Sequence, residues 1–129
     1  STNEKAAVVI KHTNPCGVAL DNSSEKALKR ALDADRVSAF GGIVALNSSV
    51  NVAIANELIS LFLECVVAPD FEQDALKVLS KKPNLRVLKL TPESIEKVDR
   101  KHIRSIFGGV LVQDQDNQLF NPNNWKISI

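Results

Sequence analysis

Short apolar runs alternate along this 129-residue chain with segments whose apolar residues recur at helical spacing, and this alternation limits the possible folds. The segments predict a helix from Ser23 or Ser24 to about Ala34, another from about residue 51 to 62, a third over 71–80 and a short one after Thr91. The apolar runs predict strands over residues 6–12, 42–46, 65–68, 85–90 and 108–113. Strands that alternate with helices form layers in which the strands are buried on both faces. The pattern therefore predicts a three-layer αβα sandwich.

The first predicted strand ends on a lysine and a histidine. Lys11 and His12 follow an apolar run, and the pair Asn14 and Pro15 predicts a sharp turn directly after them. In open α/β sheets this is the edge at which ligands bind. Neighbouring strand residues point to opposite faces, so both side chains can serve one site only if the backbone bends here. A solvent-exposed lysine and a turn-capping histidine are the alternative.

The chemistry of this pair suits proton transfer. An imidazole has an ordinary pKa of about 6.5, close to neutral pH. A neighbouring ammonium favours the neutral imidazole that a general base requires. The sequence therefore suggests His12 as a candidate base beside a fixed positive charge.

Two further segments carry features of a ligand site. Gly41 and Gly42 precede a predicted strand, and glycine allows a backbone to approach a ligand closely. Glu64 places one carboxylate at the start of the next predicted strand, which Pro69 ends.

Four motifs, in this order, resemble the transformylase part of the family that joins AICAR formyltransferase to IMP cyclohydrolase. They are VIKHTNPCG at residues 9–17, DRVSAFGGIVA at 35–45, ECVVAPDF at 64–71 and RSIFGGVLVQD at 104–114. The resemblance covers about residues 6–125. It implies that residues 1–129 are a single domain, the first of two cytidine-deaminase-like subdomains of the transformylase.

The resemblance also implies a reaction. The family transfers a formyl group from 10-formyltetrahydrofolate to the 5-amino group of AICAR ribonucleotide during IMP synthesis. It implies a cytoplasmic homodimer whose site is shared between protomers, with a cyclohydrolase domain, phosphate-binding residues and folate contacts outside this chain. The chain alone should therefore be inactive. The alternative, from a different class, is a non-catalytic nucleotide-binding or dimerisation module of the same fold.

The resemblance assigns roles to five residues. His12 matches the family's catalytic histidine and would take the proton from the attacking amine. Lys11 would stabilise the oxyanion or protonate the leaving folate nitrogen. Phe40 and Gly41 match a segment that lies against the AICAR base. Glu64 matches an acidic position that contacts AICAR, with the ribose hydroxyls as candidate partners, and a purely structural carboxylate is the alternative.

The cytidine-deaminase-like fold raises the question of zinc, which the sequence does not support. Zinc deaminases use His-x-Glu and Pro-Cys-x-x-Cys. Here Asn14 stands in place of the glutamate, and no second cysteine follows Pro15-Cys16 at that spacing. We therefore expect no metal site. A phosphate-binding P-loop is also missing from the sequence.

Other reactive residues have simpler interpretations. Cys16 is a conceivable nucleophile with His12 as its base, but a small thiol in a turn is the more ordinary reading. His102 lies in a charged stretch and predicts a surface helix residue. Asp114 and the polar residues after it predict a solvated turn without the glycine and glutamate of a calcium loop.

Composition narrows the functional class. The hydrophobic content of 44% and charged content of 24% are ordinary for a globular domain. A net charge of +1 gives no basic field for nucleic acid, and no apolar run is long enough to span a membrane. Two cysteines are too few for a disulfide scaffold and fit a cytosolic protein. The first residue is not methionine, which suggests an excised fragment.

Overall fold

The computed structural model describes residues 4–96 and 101–115. The chain divides into two compact units, Ser1–Glu96 and Lys97–Ile129. Compact units within a chain need not be separate domains, so the single domain over residues 1–129 stays a prediction.

The first unit is built on a five-stranded mixed sheet with the order β2-β1-β3-β4-β5. Strand β1 is antiparallel to β2 and to β3, whereas β3, β4 and β5 run parallel. The strands are β1 (Lys5–Lys11), β2 (Asn14–Asp21), β3 (Gly42–Leu46), β4 (Leu63–Ala68) and β5 (Arg86–Lys89).

Strand β2 corrects the sequence prediction. Asn14 and Pro15 were expected to form a turn, but they begin β2, and the turn lies one step earlier at His12 and Thr13. Proline is tolerated here because β2 is an edge strand of the sheet. Strand β4 also begins two residues before the predicted start, so Glu64 lies inside it.

Five helices accompany the sheet within residues 4–96. Helix α1 begins where predicted, because the Ser23 side chain accepts a hydrogen bond from the Lys26 N–H. Helix α3 is capped by Asn51 and ends at Ile59, before the predicted end near residue 62, which leaves Phe62 outside it. Within the described ranges, no helix is long and apolar enough to cross a membrane. The helices are α1 (Ser24–Ala34), α2 (Arg36–Ala39), α3 (Val52–Ile59), α4 (Gln73–Leu79) and α5 (Pro92–Glu96).

One face of the sheet forms the hydrophobic core of the first unit. Helices α1, α3 and α4 contribute fully buried side chains to a single cluster with the inward strand residues. The largest of these side chains are Leu28, Leu32, Ile54, Leu58, Leu79, Val9, Val44 and Val66. Burial of this apolar surface is the main favourable term in folding.

The opposite face of the sheet is more open than predicted. Val8 and Val67 border a cavity of about 340 Å³ with Ile95 of α5, so α5 lies beside this face. Val18 and Leu88 are more than half exposed. The α/β class is confirmed, but burial of the strands on both faces is wrong for residues 4–96.

The second unit contains an antiparallel hairpin of β6 (Lys101–Ile106) and β7 (Gly109–Asp114). The sequence predicted β7 but not β6, because the basic residues around His102 obscured the apolar ones. His102 lies in β6 and not on a helix. Asp114 ends β7 and Gln115 follows it without regular structure, and the rest of the predicted polar turn, from residue 116 on, lies outside the described residues.

Hydrogen bonds lower the pKa of several carboxyl groups in the first unit. Lys29 and then Arg36 donate to Asp33, and both bonds hold the pKa of its carboxyl below the ordinary value of 3.8. Lys89 donates to Asp70 at 2.6 Å and lowers the pKa of that carboxyl in the same way. Each bond favours the ionised form of its carboxyl group.

These shifts predict acid sensitivity of the 129-residue chain. The unfolded carboxyls bind protons near their ordinary pKa of 3.8, whereas the folded ones bind them only at lower pH. The stabilisation is therefore complete above that value and lost as the pH falls through the folded pKa values. We expect urea denaturation to give a constant free energy of unfolding between about pH 7 and pH 5 and a decline below about pH 4. A value that does not change down to about pH 3 would contradict this.

Candidate active site at the start of the parallel strands

The turn between β1 and β2 presents the histidine. His12 and Thr13 are its two central residues, with φ of 51° and 65°. Residues other than glycine seldom adopt positive φ, and a β-branched residue such as Thr13 is a true outlier there. The turn is held by two bonds to the His12 carbonyl, from Thr13 Oγ1 at 2.6 Å and from Asn14 Nδ2 at 3.1 Å. Backbone strain of this kind concentrates at functional sites.

Lys11 is anchored on the neighbouring element. Its Nζ donates a hydrogen bond of 2.7 Å to the carbonyl oxygen of Phe40. Lys11 is half-buried, whereas His12 is exposed. The backbone therefore bends at the end of β1, as the sequence analysis required. The His12–Thr13 turn supplies this bend, and Asn14 and Pro15 do not.

Phe40 and Gly41 form the junction between α2 and β3. Gly41 has a φ of 73°, which a residue with a side chain adopts only with strain. Its N–H donates to the Phe62 carbonyl oxygen at 2.8 Å. The rings of Phe40 and Phe62 lie with centroids 5.2 Å apart and a tilt of 40°. Both rings are about half exposed, so they offer an aromatic surface beside Lys11.

Glu64 and Arg86 face an open cleft next to this aromatic pair. Glu64 Oε2 and Arg86 Nη1 are 3.8 Å apart on neighbouring parallel strands. The cleft has a volume of about 460 Å³, and the rest of its lining is Phe62, Pro83, Asn84 and Leu85. Contacts therefore connect Lys11 to Phe40, Phe40 to Phe62, and Phe62 to the cleft that holds Glu64.

Sequence reasoning missed Phe62 and Arg86. Phe62 was assigned to the apolar side of a helix, and only the early end of α3 places its ring against Phe40. Arg86 begins β5 directly beside Cys65, so knowledge of the β4–β5 register would have placed it near Glu64.

These residues meet at the opposite end of the parallel strands from the end that was expected. The prediction placed the site at the carboxyl ends of parallel strands. Strand β1 is antiparallel to β3, so its end lies where β3, β4 and β5 begin. All five predicted site residues lie at this edge, on β1, on β4, in the turn after β1 and at the start of β3.

The arrangement combines groups for acid–base chemistry and for binding. The exposed imidazole of His12 follows the anchored ammonium of Lys11 along the chain. The Glu64 carboxylate lies in the cleft next to the aromatic pair. Such a set can remove a proton from a substrate and stabilise developing negative charge. In residues 4–96 and 101–115, no three His, Cys, Asp or Glu side chains are grouped as a metal site needs.

The two thiols show no sign of activation. Cys16 Sγ donates a weak hydrogen bond to the Val9 carbonyl oxygen, at 3.6 Å. Burial raises the pKa of the Cys65 thiol and so disfavours the reactive thiolate.

The fold resembles those of two solved proteins. It matches the dCMP deaminase of cyanophage S-TIM5 with a TM-score of 0.54 and 13% identity, over 67% of this chain and 79% of the other. It matches Acinetobacter baumannii RibD with a TM-score of 0.53 and 13% identity, over 64% of this chain and 28% of the other. The chain therefore has a cytidine-deaminase-like α/β fold.

Sequence similarity identifies the family. The profile of the AICARFT/IMPCHase bienzyme matches residues 1–129, and the chain belongs to this family. It is 61% identical over 125 residues to the bifunctional purine biosynthesis protein PurH of Prochlorococcus marinus (strain MIT 9303), and 58% identical over 125 residues to that of Synechococcus sp. (strain CC9902). Both matches cover 97% of this chain, which spans about a quarter (24%) of each relative's length.

Proposed function

We propose that this chain forms part of an AICAR formyltransferase, which moves a formyl group from 10-formyltetrahydrofolate to the 5-amino group of AICAR ribonucleotide. Family membership supports this proposal. The observation that carries it is the strained turn that holds His12 beside Lys11.

The reaction needs a base because the amine is a poor nucleophile. Its lone pair is delocalised into the imidazole ring and carboxamide of AICAR. As the nitrogen attacks the formyl carbon, a C–N bond forms and His12 takes the proton from the nitrogen. The electron pair of the formyl C=O moves onto its oxygen. When it returns, the bond from the formyl carbon to the folate nitrogen breaks, and that nitrogen takes a proton.

Lys11 suits the charge that develops in this step. An ammonium has three N–H donors, and one of them is used by the Phe40 carbonyl. The hydrogen bond fixes the cation without neutralising it, because a carbonyl carries no net charge. Lys11 would stabilise the oxyanion or supply the proton to the leaving nitrogen.

The aromatic pair and the carboxylate suit the binding of AICAR. Phe40 and Gly41 would lie against the base, and the Phe62 ring extends that surface. Glu64 would accept hydrogen bonds from the ribose hydroxyls, within the cleft it shares with Arg86. Binding would therefore replace the long Glu64–Arg86 contact at least in part.

The rest of the proposed enzyme lies in sequence that this chain does not contain. We propose a cytoplasmic homodimer with the site shared between protomers, and an IMP cyclohydrolase activity in another domain. Folate contacts and the phosphate grip would come from those missing parts.

Formyl-transfer assays of the full-length protein and of the 129-residue chain test this proposal. The full-length protein that carries this chain should transfer formyl from 10-formyltetrahydrofolate to AICAR ribonucleotide. The 129-residue chain alone should not, because bringing the amine, the formyl group and His12 together supplies much of the rate. Calorimetric titration of the chain with AICAR ribonucleotide should give a Kd in roughly the millimolar range.

Two outcomes would contradict the proposal. A full-length protein that transfers no formyl group would contradict the proposed function. It would favour a non-catalytic nucleotide-binding or dimerisation module. Full turnover by the 129-residue chain would show that the site is complete within it.

A further inference from the structure

Helix α2 begins on a carboxylate that fixes its first turn. Asp35 Oδ1 accepts a hydrogen bond from the Ser38 N–H at 2.9 Å, and Asp35 Oδ2 accepts one from Ser38 Oγ at 2.6 Å. The helix has only four residues, Arg36–Ala39. One turn of helix has little stability of its own, so its cap largely decides whether the turn forms.

The other end of α2 holds the oxygen that anchors Lys11. Phe40 follows the helix as its C-cap, and its N–H donates to the Val37 carbonyl oxygen at 3.4 Å. Ala39, the last residue of the helix, is fully buried. The position of the Phe40 carbonyl oxygen, 2.7 Å from Lys11 Nζ, therefore depends on the helical turn that Asp35 caps.

Asp35 is also linked to Lys11 by charge. The hydroxyl and then the N–H of Ser38 lower the pKa of the Asp35 carboxyl, and the positive charge of Lys11 lowers it further. The carboxyl is thus ionised at neutral pH, and its negative charge attracts the Lys11 ammonium.

We propose that Asp35 is a positioning residue for Lys11, acting through the capped turn of α2 and through its own negative charge. Asp35 would touch neither the substrate nor the reacting atoms. Its importance for catalysis rests on the proposed function, whereas its hold on Lys11 is a property of the folded chain alone.

Three variants of the full-length protein separate these contributions. Asp35→Ala removes the cap and the charge, and Asp35→Asn keeps a hydrogen-bond acceptor for the Ser38 N–H but removes the charge. Asp74→Asn is the matched control, because Asp74 is an exposed carboxylate on α4 that pairs with Lys77 at 2.7 Å.

The readout is the rate at which an acetylating reagent modifies Lys11, measured by peptide mass spectrometry with Lys26 as internal reference. We expect Lys11 to react about fivefold faster in Asp35→Ala, with a smaller increase in Asp35→Asn and none in Asp74→Asn. The kcat of formyl transfer should fall about tenfold in Asp35→Ala, and the KM for AICAR should rise as well, because the turn that places the anchor of Lys11 also places the Phe40 ring. In Asp35→Asn, which keeps the cap, the KM should stay within about twofold while the kcat falls.

The outcomes separate this inference from the proposed function. An unchanged Lys11 acetylation rate in Asp35→Ala would overturn the inference, even if kcat falls. Faster acetylation in a protein whose wild type shows no formyl transfer would support the positioning role and overturn the reaction. If Asp35→Ala does not fold by circular dichroism, the nearly isosteric Asp35→Asn decides by the same acetylation measurement.

Discussion

Replacing His12 by alanine in the full-length protein should lower the kcat of formyl transfer about a hundredfold or more. Loss of a positioned general base costs about a hundredfold to ten-thousandfold in rate. Binding of AICAR should change little, because the Phe40–Phe62 surface and Glu64 are untouched. Steady-state kinetics and a calorimetric titration of AICAR ribonucleotide measure the two effects separately.

Two further variants control for the unusual backbone at this position. Alanine is disfavoured at the φ of 51° that His12 adopts, so His12→Ala changes the turn as well as the base. Asparagine accepts this conformation more readily, and His12→Asn should show a similar loss of turnover with an intact turn. His102→Ala removes the chain's other histidine and should leave kcat unchanged. Near-normal turnover of His12→Asn would exclude His12 as the base.

Gly17→Ala should destabilise the 129-residue chain by about 3 kcal/mol, the upper part of the usual range for overpacking a core. Gly17 lies on β2 directly beneath α1. A Cβ atom there would sit 2.0 Å from the carbonyl oxygen of Ala31, so the helix backbone itself must move. A flexible side chain could turn aside, but a helix can do so only by giving up its packing on the sheet.

Gly109→Ala is the matched control, since among residues 4–96 and 101–115, apart from its own chain neighbours, no atom lies within 4 Å of the Cβ that it would add. Urea denaturation of both variants should show a lower midpoint for Gly17→Ala and a midpoint near wild type for Gly109→Ala. Equal midpoints would mean that α1 does not pack as closely on β2 as described.

Local signals in the sequence were sufficient for several elements. Helix α1 has both a capping serine and apolar residues at helical spacing, and these residues are all buried: Ala27, Leu28, Ala31 and Leu32. These signals act within a few residues, so they do not depend on the rest of the fold. Strand β3 was predicted for a similar reason, as an apolar run after two glycines.

The features that the sequence did not predict depend on contacts between distant residues or on rare backbone conformations. The His12–Thr13 turn has no glycine to mark it, so Asn14 and Pro15 attracted the prediction instead. Lys11 and His12 could be selected from the sequence, but the bond from Lys11 to Phe40 spans 29 residues. The pairing of Glu64 with Arg86 depends on the register between two parallel strands, which the sequence pattern does not specify.

The pairing of β1 on both of its edges has a consequence for motion at the site. Strand β1 is hydrogen-bonded to β2 and β3, and Ala7 and Val9 on it are fully buried. Segments of this kind open to solvent mainly when the whole unit unfolds, so their amide hydrogens exchange slowly. Lys11 ends this persistent strand, and the two-residue turn that carries His12 is too short to swing independently of it. Lys11 and His12 are thus held in a nearly fixed arrangement before any ligand binds.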